Sequence, residues 1–120
     1  MTQKILIVDD SKLARMAVIK ALNSLRPDWT RVEASNADDA LVLVKNAAPD
    51  IALLDFNMPG KDGLTLAVEI KQLAPQMNLA VISANHQLEV VERTRAAGAY
   101  FLPKPLTEKS LGEFLNSVAK

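Results

Sequence analysis

Five short apolar runs alternate along the chain with longer amphipathic segments. The runs are Ile5–Val8, Arg31–Ser35, Ile51–Leu54, Leu79–Ser83 and Tyr100–Leu102. Three of them contain continuous apolar tetrads, ILIV, IALL and LAVI. Runs that are apolar on both faces predict buried parallel strands. Arg31-Val32-Glu33-Ala34 alternates polar with apolar, which suits an edge strand. Helices are predicted over Leu13–Leu25, Asp38–Ala48, Leu64–Ala74, Leu88–Ala97 and Glu108–Ala119. In the first, Met16, Ile19, Leu22 and Leu25 recur at spacings of three and are expected to form the buried stripe. In the third, Leu66, Ala67, Ile70 and Leu73 do the same. Ser11, Asn36 and Thr107 are candidate N-caps, and Gly98 is a candidate C-terminal stop. Pro27, Pro49 and Pro75 punctuate the returns from helix to strand.

Five βα units imply an α/β fold: a doubly wound parallel five-stranded sheet with helices on both faces and right-handed crossovers. The flavodoxin-like strand order 2-1-3-4-5 is expected. Five strands are too few to close a (βα)8 barrel. No repeat, low-complexity tract or linker interrupts residues 1–120, so one domain is expected.

Composition narrows the function. The chain has 120 residues, with 14 Lys+Arg against 14 Asp+Glu, no cysteine and one histidine. Without cysteine there is no disulfide, thiolate nucleophile or cysteine-based metal site. A single histidine makes a His-cluster metal site or a serine–histidine triad a poor fit. Balanced charge argues against a broad nucleic-acid surface, which needs a basic stripe. No apolar run approaches the roughly 18 residues of a membrane span, and the first is too short for a signal peptide. A cytoplasmic protein is therefore expected; as to assembly, a monomer or a transient dimer is expected.

In an open parallel sheet, ligands gather beyond the carboxyl ends of the strands, at the point where strand order reverses. Asp9 and Asp10 follow the first strand, Asp55 the third, Ser83 ends the fourth and Lys104 follows the fifth. One strand-end aspartate is ordinarily a cap or a solvated charge. Three on neighbouring strands repel one another unless a cation neutralises them. With no cysteine and one histidine, a hard divalent ion such as Mg2+ is the better match. Lys104, between Pro103 and Pro105, has a restricted backbone that aims its ammonium. Carboxylate, metal site, ammonium and hydroxyl together suit phosphoryl transfer to an aspartate. Such a nucleophile is already ionised at neutral pH and needs no general base.

At this point the chain resembles the receiver domains of two-component response regulators. The pieces that carry the resemblance are LIVDDSKLAR at 6–15, LLDFNMPGKDG at 53–63, VISAN at 81–85 and LPKP at 102–105. It implies that Asp55 is the phosphoacceptor. Asp10, Asp55 and the backbone carbonyl of Asn57 would ligate Mg2+, with Asp9 acting mostly through water. Lys104 would contact the phosphoryl group, and the Lys104–Pro105 bond would be cis. Ser83 would be the switch hydroxyl, where the family more often has threonine. Counting back from the lysine, the switch aromatic falls on Phe101; a bulge in the strand would give the role to Tyr100. Asn57 and Asn85 would flank the phosphoryl group and influence its lifetime. A sensor histidine kinase is the implied donor, and a downstream target protein would read the surface of the fourth helix, fifth strand and fifth helix. Ending at Lys120, the chain is expected to be a stand-alone regulator of the chemotaxis type, a regulator rather than an enzyme.

Three other readings compete. A haloacid-dehalogenase-type aspartyl-phosphate hydrolase needs a second aspartate two residues after the nucleophile, where this chain has Asn57. A flavin module would want a phosphate-binding loop after the first strand, where Asp9 and Asp10 would repel a phosphate. A degenerate receiver would lack some of the phosphorylation positions, and all are present. Among the remaining signals, His86 reads as a solvated loop residue, with a phospho-histidine relay as the sharper alternative. Lys12, Arg15 and Lys20 offer either a kinase-docking face or a solvated helix face. Trp29 is expected to pack near the first helix-to-strand return.

Overall fold

The computed structural model describes residues 3–118. In chain order the elements are β1 (Lys4–Val8), α1 (Lys12–Leu25), β2 (Thr30–Ala34), α2 (Ala37–Ala47), β3 (Ile51–Asp55), α3 (Gly63–Leu73), β4 (Asn78–Ser83), α4 (Leu88–Ala96), β5 (Tyr100–Pro103) and α5 (Glu108–Val118). Every expected element is present, with ends moved by a residue or two. Ser35 lies outside β2, and Ala119, the expected end of α5, lies outside the described residues. All strands are parallel, in the order β2-β1-β3-β4-β5.

The apolar tetrads fill the middle of the sheet. Ile5 to Val8, Ile51 to Leu54 and Leu79 to Ile82 are all buried. Because side chains alternate across a strand, the sheet separates two cores. Leu6, Val8, Ala52, Leu54, Leu79 and Val81 pack beneath α2 and α3. Ile5, Ile7, Ile51, Leu53, Ala80 and Ile82 pack beneath α1 and α5, with Trp29 closing the end of that layer. The Arg26 guanidinium lies over the Trp29 ring, 5.4 Å from its centroid.

The helix starts are local chemistry. Ser11 Oγ accepts from Ala14 N, Asn36 Oδ1 from Asp39 N and Thr107 Oγ1 from Ser110 N. Asp62 is a cap the sequence reading did not single out; its Oδ1 accepts from Thr65 N at 2.7 Å. Gly98 follows α4 at φ +81°, a conformation that favours glycine, and Ala99 N returns to Thr94 O.

Two apolar stripes differ from expectation. In α1, Leu22 is buried and Ile19 and Leu25 pack against the core as expected, but Met16 is 53% exposed and Val18 is buried instead. A strict spacing of three drifts by about 60° per step, so Met16 and Leu25 fall on opposite sides of the helix. The spacing of four between Val18 and Leu22 stays on one face. In α3, Leu66, Ala67 and Ile70 are buried but Leu73, in the last turn, is exposed.

Candidate functional site

The carboxyl ends of β1 and β3 lie side by side, with Val8 paired to Leu54. Asp9 and Asp10 leave the first strand just where Asp55 ends the third. One carboxylate oxygen from each of the three lies within 4.8 Å of the others. Asp55 is buried, Asp9 partly buried and Asp10 exposed. The Asp9 carboxyl is raised above its ordinary value. Burial is the largest cause; the Ser11 N–H opposes it, Asp55 adds to it, Lys104 opposes it and Asp10 adds a little. This all-oxygen, mutually repelling donor set fits a hard divalent cation.

Lys104 reaches the site from the loop after β5. Its Nζ donates to Asp55 Oδ1 at 2.6 Å. Lys104 N donates to Ser83 O at 3.0 Å, which ties the residue to the end of β4, and the Lys104–Pro105 bond is cis. The carboxylate is buried while the lysine side chain is 35% exposed, so the pair is open to solvent from the lysine side. Beside it lies a groove of about 550 Å³, bounded by Asp9 and Lys104 and lined by Ala14, Ala17, Val18 and Leu106.

Ser83 is buried at the end of β4, but its hydroxyl is engaged elsewhere. Oγ accepts from Asn85 N at 2.9 Å, within its own loop. Asn57 and Asn85 are both exposed in the loops after β3 and β4. The two candidate aromatics point to opposite faces of the sheet. Phe101 pairs with Val81, and Val81 belongs to the core under α2 and α3. Tyr100 pairs with Ala80 on the other face and packs against Phe114 of α5, centroids 5.1 Å apart. The observed pairing runs residue for residue from Tyr100 to Pro103, leaving no place for a bulge within it.

Two residues matter that sequence reasoning did not place. Arg15 is drawn inward rather than presented as a docking charge. Its Nη1 donates to Asp9 O at 2.6 Å and its Nε to Glu33 Oε1 at 3.0 Å, tying the loop that carries Asp9 to β2. Gly63 opens α3 against the end of β3, so closely that a Cβ would stand 2.3 Å from the Asp55 carbonyl oxygen. A glycine directly after the capping residue Asp62 was the available sign of such an approach. His86 is exposed, yet its ring also meets Phe101 edge-on, with centroids 5.8 Å apart.

Strand order, acidic cluster and apposed lysine together define a signalling domain of the two-component type. The chain belongs to the response regulator receiver domain family, whose model matches residues 5–116. It is similar to the nitrate/nitrite response regulator protein NarL of Escherichia coli K12, 34% identical over 117 residues, covering 96% of this chain and 54% of that protein. It is also similar to the chemotaxis protein CheY of Thermotoga maritima, 32% identical over 121 residues and covering both chains completely. Thus the chain spans about half the length of some curated relatives and all of another. A solved structure of Vibrio cholerae CheY4 shares the fold, with a TM-score of 0.88 at 24% identity over 98% of this chain and 99% of that one. Family members are phosphorylation-dependent regulators rather than conventional enzymes, and they work between histidine kinases and downstream targets. Receiver domains bind Mg2+ at an acidic pocket, which agrees with the aspartate cluster here. Among the described residues, no helix is long and apolar enough to cross a membrane.

Proposed function

We propose that Asp55 accepts a phosphoryl group from a histidine kinase and that the resulting charge switches a protein-binding surface. The observation that carries this is the 2.6 Å approach of Lys104 Nζ to Asp55 Oδ1 beside the gathered oxygens of Asp9 and Asp10. Lys104 occupies Oδ1, which leaves Oδ2 to attack phosphorus in line. A bond forms between that oxygen and phosphorus, while the bond from phosphorus to the donor's imidazole nitrogen breaks. The electron pair departs with the nitrogen. Lys104 then follows the charge onto the phosphoryl oxygens. Asp10, Asp55 and the Asn57 carbonyl would hold Mg2+, with Asp9 acting through water; the ion supplies charge neutralisation during transfer.

The aspartyl phosphate carries about −1.5 to −2 charges and new acceptor oxygens. Ser83 Oγ–H gains a reason to turn toward it, and Phe101, on the same face, takes up the space released. These differential contacts bias the equilibrium between two arrangements. Exposed Asn57 and Asn85 govern how water reaches the phosphoryl group and therefore its lifetime. The signal leaves through α4, β5 and α5, where Leu88, Glu89, Glu92 and Tyr100 are exposed. The groove along α1 lies beside Asp9 and Lys104, a position from which a donor domain can present its phosphohistidine. The setting is cytoplasmic, with a kinase and a target protein as partners.

Incubation with acetyl phosphate and Mg2+ should add a single phosphoryl group, measured as a mass increase. Asp55→Asn should abolish it. Phosphorylation that persists in that variant at the wild-type rate would remove Asp55 from the role.

A further inference from the structure

The loop between β4 and α4 carries the chain's single histidine, and the mechanism above does not use it. The loop is tied at both sides of that residue. Ser83 Oγ accepts from Asn85 N at 2.9 Å, and Asn85 Oδ1 accepts from Gln87 N at 3.0 Å. The His86 backbone is therefore bracketed by two bonds, the first anchored in Ser83 and the second in the Asn85 side chain. Its ring meets Phe101 at 89°, centroids 5.8 Å apart, an edge-to-face pair. Such pairs favour one placement of a ring over others.

Strand pairing makes this contact consequential. Phe101 lies opposite Val81 and Pro103 opposite Ser83, so the aromatic and the hydroxyl share one face of the sheet. Turning the Ser83 hydroxyl toward Asp55 draws its oxygen away from Asn85 N. The Asn85–Gln87 segment then loses its anchor, and the His86 ring moves with it. Phe101 loses an aromatic partner in the same step that opens space beside Ser83.

We propose that His86 is a positioning residue: it holds Phe101 in its present placement and releases it when Ser83 turns toward a phosphoryl group on Asp55. The inference rests on the reading of Asp55 given above. It differs from a general loop movement in naming the ring that restrains the aromatic.

The test uses full-length protein carrying fluorinated phenylalanine, with the Phe101 signal assigned through Phe101→Leu, and beryllofluoride with Mg2+ as the phosphoryl mimic. In wild type the Phe101 signal should move on adding the mimic. In His86→Ala it should already lie displaced toward the mimic-bound position, and the mimic should bind about two- to twelvefold more tightly, because binding no longer has to break the aromatic pair. His86→Phe keeps an aromatic edge and should restore wild-type behaviour. His86 is exposed, so matched melting temperatures will exclude a folding effect. If the mimic binds wild type but His86→Ala changes neither signal nor affinity, the His86 inference is overturned and the Asp55 reading stands. If the mimic does not bind wild type at all, both are overturned.

Discussion

Gly63→Ala should damage both stability and phosphorylation, although it adds only one methyl group. The new Cβ would stand 2.3 Å from Asp55 O, 2.8 Å from Asp55 C and 3.1 Å from Phe56 Cα. All three are backbone atoms, so no side chain can swing aside. Reaching ordinary contact requires α3 and the end of β3 to separate by roughly 1 Å. The Gly63 N to Phe56 O bond, now 3.1 Å, crosses the same gap and would stretch beyond useful length. Overpacking of this kind costs about 1–3 kcal/mol and the hydrogen bond about 1 kcal/mol, while alanine in a helix returns about 0.5–1 kcal/mol. The net loss of about 1–3.5 kcal/mol corresponds to a melting temperature lower by about 4–14 °C for a domain of this size. Displacing the Asp55 backbone also displaces its carboxylate from Lys104, so transfer from acetyl phosphate should slow at least about tenfold. Gly112→Ala, in the middle of α5, serves as the contrast: its Cβ would meet Leu25 Cδ2 of α1 at 3.5 Å, an ordinary contact, and should be neutral or stabilising. Melting within about 2 °C of wild type, together with an unchanged transfer rate in Gly63→Ala, would refute the close-approach argument.

Two further outcomes are expected. Folding raises the Asp9 carboxyl above its ordinary value of 3.8, chiefly by burial, so the ionised group costs stability above the raised pKa; that cost fades as pH falls through it toward 3.8. Asp9→Asn, which can still accept from Ser11 N, should therefore raise the melting temperature at pH 7 in EDTA, with the gain vanishing on acidification; a gain of equal size at pH 3 would contradict this. Lys104→Met should destabilise wild type by about 1 kcal/mol, modest because the lysine is partly exposed, but should be near neutral in an Asp55→Asn background; equal losses in both backgrounds, by urea unfolding, would show that the ion pair contributes nothing.

Much of this was legible in the sequence, for identifiable reasons. Continuous apolar tetrads declare central parallel strands, because both faces are covered. Once strand order follows, Asp9, Asp10 and Asp55 must converge on one edge, and the structure places them there. The α1 stripe was legible in part: Ile19, Leu22 and Leu25 pack against the core, but Met16 faces water because a period of three is not the helical period. Contacts between elements distant in sequence were not legible. Nothing local says that Arg15 reaches both Asp9 and Glu33, or that Gly63 lies against the Asp55 carbonyl. The edge contact of His86 with Phe101 depends likewise on the placement of a loop. Which face of the sheet Phe101 and Tyr100 each occupy required strand register, since one residue of slip exchanges the two faces.

The two separate cores bear on how such a chain can change over time. Tyr100 and Phe101 are chain neighbours, but one packs against Phe114 of α5 and the other lies on the opposite face of the sheet, beside Val81. A substitution beneath α1 or α5 is felt on the other side only through the stiff backbone of the shared wall. The groove along α1 and the surroundings of Phe101 thus draw on different packing. Substitutions that reshape one can accumulate in a lineage while the other keeps its form.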